Sequence, residues 1–150
     1  MPTTIDPVTK RVIQYTDLSN GLVKLDREWV KANIRKFEIP IFNRPIWGHK
    51  LIINPLCSAL RELDNDNHRR FLKTFDGCWY PRHIRRLTTK PLSNHSFGLA
   101  FDINAQWNQQ GTIGSQNPYV VRTLQKWGFT WGGLWQPLSV RDDMHYELRF

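Results

Sequence analysis

The repeat of the apolar residues changes near Cys78, and that change limits what this chain can fold into. Ahead of it, LCSALRELDNDNHRRFLKTF sets Leu56, Leu60, Leu63 and Phe71 near one face of a helix and charges on the other. Asn54 is placed to cap that helix and Pro55 to open it. Beyond Cys78, the runs WYPRHIR, LAFDIN and MHYELRF alternate with a period of two, as strands do. A polar loop, NAQWNQQGTIGSQN, separates the second run from a helix over PYVVRTLQKW, which Gly128 is placed to end. Upstream, RVIQY, GLVKL and IPIF surround a charged segment of helical spacing, DREWVKANIRKF, and read as an arm plus scaffold of about 45 residues. Helix, strands, helix and strand in 150 residues predict one α+β domain, with helices against a mostly antiparallel sheet.

Composition removes several function classes. No apolar run reaches the roughly 18 residues of a bilayer span, so no membrane insertion is expected. MPTTIDPVTK has no charged stretch followed by an apolar one, which predicts a protein made in the cytoplasm without a signal peptide. Cys57 and Cys78 are too few for a disulfide scaffold and predict reduced thiols. Lys and Arg number 21 against 13 Asp and Glu, a formal net charge of +8, which favours polyanionic partners. No nucleic-acid-binding motif accompanies that charge, so nucleic acid is not expected as the partner.

The polar face of LAFDIN carries Asp102 beside Ala100, and His95 lies seven residues earlier with Gly98 between them for a tight turn. On the last run His145, Glu147 and Arg149 share a face, and Asp142 precedes His145 by three. Two imidazoles and a carboxylate are the donor set of a zinc site with an open fourth position, and a further carboxylate would serve as general base. The alternative is ordinary: Asp in a turn, His as a hydrogen-bonded structural group.

SNHSFGLAFDIN, GFTWGGLW and DDMHYE together resemble the zinc peptidase family of D-Ala-D-Ala carboxypeptidases and phage L-alanyl-D-glutamate endopeptidases. That family's S-x-H-x-x-G-x-A-x-D is filled by Ser93, His95, Gly98, Ala100 and Asp102, and its D/E-x-x-H by Asp142 and His145. The resemblance runs from about Trp79 to Glu147. It implies one zinc ion on His95, Asp102 and His145, with Asp142 as the base, and a fold shared with the Hedgehog signalling domain. It also implies an arginine ahead of the first His to hold a substrate carboxylate or the oxyanion. Arg82, Arg85 and Arg86 are the candidates, and alternation groups Arg82 with Arg86 and sets Arg85 on the other face with His83. Arg82 is favoured. Ser93 is a candidate substrate contact or a loop-shaping residue, and Glu147 a candidate for orienting a ligand. Leu134 departs from the polar or acidic residue that many relatives carry between the Gly pair and Trp135. Trp79, Trp107, Trp131 and Trp135 are read as core ahead of groove, and His49, His68 and His83 as structural or surface residues.

The resemblance implies hydrolysis of peptidoglycan stem peptides by a monomer, with the L-alanyl-D-glutamate bond favoured and D-Ala-D-Ala as the alternative. Release through a phage-made membrane hole, or carriage with a virion, is the expected route to the wall. A zinc module without activity is the competing class, and retention of Asp142 argues against it.

Overall fold

In the computed structural model, which describes residues 1–150, the N-terminal third builds two small antiparallel sheets. Strands β1 (Thr3–Ile5), β2 (Val12–Asp17) and β3 (Val23–Leu25) form the first. Helix α1 (Arg27–Asn33) follows, with the Asp26 carboxylate capping it by accepting from the Trp29 N–H at 3.0 Å. The helical spacing of DREWVKANIRKF is cut short at Asn33. Residues Ile34–Ile39 instead form β4, paired along its length with β5 (Arg44–His49) from Ile34 opposite His49 to Ile39 opposite Arg44. A full ladder of cross-strand bonds outweighs a local helical preference of a few tenths of a kcal/mol per residue.

Helix α2 (Ile53–Asn65) buries Leu56, Leu60 and Leu63 completely. Asn54 lies inside its first turn and not at the cap, since the capping position is Ile52. The helix also stops ten residues before the apolar pattern does: Asn67 adopts φ 61°, the left-handed conformation that Asn tolerates at helix ends, and Arg69–Phe71 is a separate 3₁₀ turn. Strand β6 (Phe75–Gly77) comes next, then β7 (Ala100–Ile103) after a long irregular stretch. Helix α3 (Pro118–Lys126) is capped by Asn117, which accepts from the Tyr119 N–H at 2.9 Å, and ends before Gly128 at φ 100°. Strands β8 (Thr130–Trp131) and β9 (His145–Glu147) complete a four-stranded antiparallel sheet of order β6-β7-β9-β8. The α+β class with antiparallel sheets is as the sequence predicts.

Alternation sorts this sheet into two faces. Phe101 and Tyr146, both fully buried, stack at 5.5 Å and meet Phe129, α2 and α3 in the main core. A second apolar cluster joins Val23, Leu25, Trp29 and Ile34 from the N-terminal third to Leu92, Phe97 and Leu99 from the segment leading into β7. The supposed arm is thus packed against the region that carries the motifs. Both cysteines are buried free thiols.

WYPRHIR is not a strand. It makes two isolated bridges, Leu22 to Arg82 and His83 to Leu92, and then turns at Ile84–Arg86 with Arg85 and Arg86 both at positive φ. The expected alternation, with Arg82 and Arg86 on one face and Arg85 on the other, is therefore lost.

Candidate metal centre

Asp102 on β7 and His145 on β9 are directly opposite each other in the antiparallel ladder. Cross-strand partners bring their Cβ atoms to about 5 Å, so register alone joins two of the three predicted ligands. His95 arrives from a 3₁₀ turn, Asn94–Phe97, that ends at Gly98 with φ 67°. There the chain reverses into β7, and a Cβ would stand 2.5 Å from the His49 backbone nitrogen, so only glycine fits.

The three donors converge. His95 Nε2 is 3.3 Å from Asp102 Oδ2, and His145 Nδ1 is 3.5 Å from Asp102 Oδ1. One ligand atom from each residue lies within 4.8 Å of the other two. Tetrahedral zinc with bonds of about 2.05 Å separates its ligand atoms by about 3.3 Å, close to the distance of each histidine from its nearer Asp102 oxygen. The remaining hydrogen bonds point the donors inward. His95 Nδ1 meets the Cys78 carbonyl at 2.8 Å and His145 Nε2 meets Glu147 Oε1 at 2.7 Å, so each ring keeps its other nitrogen for the cluster. His95 Nε2 and Asp102 Oδ1 are buried without a hydrogen-bond partner, which a native interior seldom leaves unless something else occupies them. The residues fit a bound cation.

Without a cation the electrostatics are severe. Burial opposes ionisation of Asp102, but the two imidazoles overcome it and hold the carboxyl well below its usual range. Burial likewise opposes protonation of His145, while Asp102 and Glu147 outweigh it and push the imidazole up to about 9. Glu147 is itself buried, and it accepts from Asn94 Nδ2 at 2.6 Å and Arg149 Nε at 2.9 Å as well as facing His145. Glu147 is thus buried, not an exposed strand residue, and its bond to Nε2 orients the His145 ring.

Asp142 enters the same cleft, and burial pushes its carboxyl up to about 6, against the opposing pull of His145. Its Oδ1 is buried with no partner. Its position is set by backbone: the Asp142 N–H donates to the Gly132 carbonyl at 3.0 Å, and a Cβ on Gly132 would sit 2.4 Å from the Asp142 carbonyl oxygen. The Trp-Gly-Gly segment therefore gives Asp142 its seat. Asp143, the neighbouring acid, is turned away into an ion pair with Arg141 at 2.5 Å.

The cleft around these groups has a volume of about 1130 Å³. Arg82, Arg85 and Arg86 all line it. The Arg82 backbone is clamped by Ser96, whose hydroxyl accepts from its N–H at 2.9 Å and donates to its carbonyl at 2.8 Å. Ser93 also borders the cleft, but its hydroxyl caps the His95 turn by accepting from the His95 N–H at 3.3 Å. Of the tryptophans, Trp135 lines the cleft, Trp79 and Trp131 pack against the two cores, and Trp107 lies outside it, 39% exposed. Asn94, Ser96 and the Cys78 carbonyl escape the sequence reading. Asn94 and Ser96 flank His95 within the first motif, and their adjacency to it is the signal available.

Residues 86–148 match the family described as D-alanyl-D-alanine carboxypeptidase. The match supports the family to which the motifs point and a hydrolase of the peptidase kind. No curated protein and no solved structure matches the chain.

Proposed function

We propose, with that family match as premise, that the chain is a zinc peptidase that hydrolyses the stem peptides of bacterial peptidoglycan. The observation that carries this reading is one cleft holding both a convergent, partly orphaned His95, Asp102 and His145 set and the free carboxylate of Asp142. A zinc ion in such a set supplies Lewis acidity, polarising a carbonyl and making nearby water more acidic. The protein supplies the rest. Asp142 takes a proton from the attacking water and returns it to the leaving amine, a role suited to a carboxyl in the cleft with an oxygen that no other group occupies. Arg82 holds a substrate carboxylate through its planar fork. Glu147 and the Cys78 carbonyl keep the two imidazoles oriented.

Within this class, cleavage between L-alanine and D-glutamate is our favoured reaction. A cleft of about 1130 Å³ has room for several peptide residues, and the +8 charge suits a carboxylate-rich wall polymer. The family description favours a second reading, removal of terminal D-alanine. A phage lysin or virion-carried enzyme acting as a monomer is the context proposed for either. Mass spectrometry of digested peptidoglycan, with and without chelator, tests all of this. A new N-terminal glutamate, lost with chelator, is the expected product. Free D-alanine alone gives the second reading, and chelator-resistant cleavage or no cleavage rejects the zinc peptidase.

A further inference from the structure

The cleft carries more unpaired positive charge than one carboxylate-binding arginine requires. Arg82, Arg85 and Arg86 line it, and none of the three is in an ion pair. Arg149, the fourth arginine there, is occupied by Glu147. Arg85 donates to the Ser139 carbonyl and Arg86 to the Tyr80 hydroxyl, neutral acceptors that leave most of each guanidinium's five N–H groups free. The Arg82 and Arg86 guanidinium groups both sit by the Tyr80 ring, 5.3 and 5.5 Å from its centre.

Backbone geometry brings these arginines together. Arg85 and Arg86 are consecutive residues at φ 54° and 57°, a conformation that side chains with a Cβ rarely adopt and that concentrates at ligand sites. Its effect is specific: in a strand Arg85 would face away from Arg82, whereas the turn returns it to the cleft. The N-terminal third holds the turn's base. The His83 N–H donates to the Gly21 carbonyl at 2.9 Å, and the His83 ring bridges Asp17 at 2.7 Å and the Lys90 carbonyl at 2.6 Å.

We propose that Arg85 and Arg86 form a second anion subsite, distinct from Arg82, and that the substrate is a peptide with at least two carboxylates. This rests on the peptidase reading of the cleft. One carboxylate is held near the reacting bond by Arg82 and the other by the Arg85–Arg86 turn, where two planar forks offer paired hydrogen bonds.

The probe is L-alanyl-γ-D-glutamyl-L-lysyl-D-alanyl-D-alanine, which has two free carboxylates, compared with its two mono-amides. The variant is Arg85→Asn with Arg86→Asn, because Asn tolerates left-handed backbone and so removes charge while keeping the turn. Wild-type kcat/KM should favour the free peptide over each mono-amide by about tenfold, mainly through KM. The double Asn variant should lose the preference against one mono-amide and keep the other, and Arg85→Lys with Arg86→Lys should restore part of it. Equal loss on all three peptides, or full retention of both preferences, overturns the subsite. Calorimetry of the same peptides on Asp142→Asn protein reads binding without turnover. Charge-dependent binding that needs Arg85 and Arg86, with no cleavage by wild type, rejects the peptidase and leaves the subsite standing. Affinities indifferent to amidation reject the subsite whatever the turnover.

Discussion

Asp6 in the N-terminal third and Asp142 in the cleft are both carboxylates withdrawn from water, and they are treated in opposite ways. Asp6 is 3% exposed and fully used: it accepts from the Val8 N–H at 2.8 Å, the Thr9 hydroxyl at 2.9 Å and the Trp29 indole at 2.9 Å. Burial works against its charge, but those donors prevail and lower its pKa. Asp142 has an oxygen with no donor at all, and burial raises its pKa. A satisfied buried acid holds structure together, and an unsatisfied one is left free to react. The same contrast separates His83, bonded at both ring nitrogens, from His95, bonded at one.

The most severe test of this division is Asp102→Ala. It should abolish stoichiometric zinc binding and all chelator-sensitive hydrolysis, as read by metal analysis of purified protein. Retained zinc would break the division at its centre. Asp142→Asn comes next: hydrolysis should fall on the order of 10²- to 10⁴-fold while zinc content stays and the melting temperature holds or rises, since an uncompensated charge is removed. Loss of zinc would make Asp142 a ligand instead. Asp6→Ala should do the reverse, leaving kcat/KM near wild type and costing about 1–3 kcal/mol of unfolding free energy, because the Trp29 indole loses its buried acceptor. Chemical denaturation measures that.

A further test, confined to acid conditions, concerns His49. Burial pushes its imidazole down from 6.5 to about 4, so across that window the unfolded chain binds a proton that the folded chain refuses. Stability should therefore decline as pH falls from about 6.5 to 4, and His49→Gln should flatten that slope. An unchanged slope would place its origin in other groups.

The sequence reveals the cleft better than its surroundings, for physical reasons. β7 and β9 are legible because each has one face in the core and one in the cleft, so alternation reports the sheet directly. α3 is legible because Asn117, Pro118 and Gly128 mark its two ends by local chemistry. The Arg82 to Arg86 segment is not, since its conformation depends on bonds to Gly21 and Asp17, distant in sequence and invisible to periodicity. β4 is misread for a different reason: its own spacing looks helical, and pairing with the neighbouring β5 decides it. The packing of the N-terminal third against Phe97 and Leu99 leaves no motif, only apolar residues of ordinary type.

The sheet order has a temporal consequence. β9 is the last strand in sequence, yet it lies between β7 and β8 and brings both His145 and Glu147. Pairing over such sequence separations is slow relative to local helix formation. The donor set is complete only when β9 is paired between β7 and β8, because His145 comes from that strand while His95 and Asp102 do not. Closing the sheet and completing the cation site are thus one event, so a bound metal would hold β9 in place and loss of β9 would release the metal.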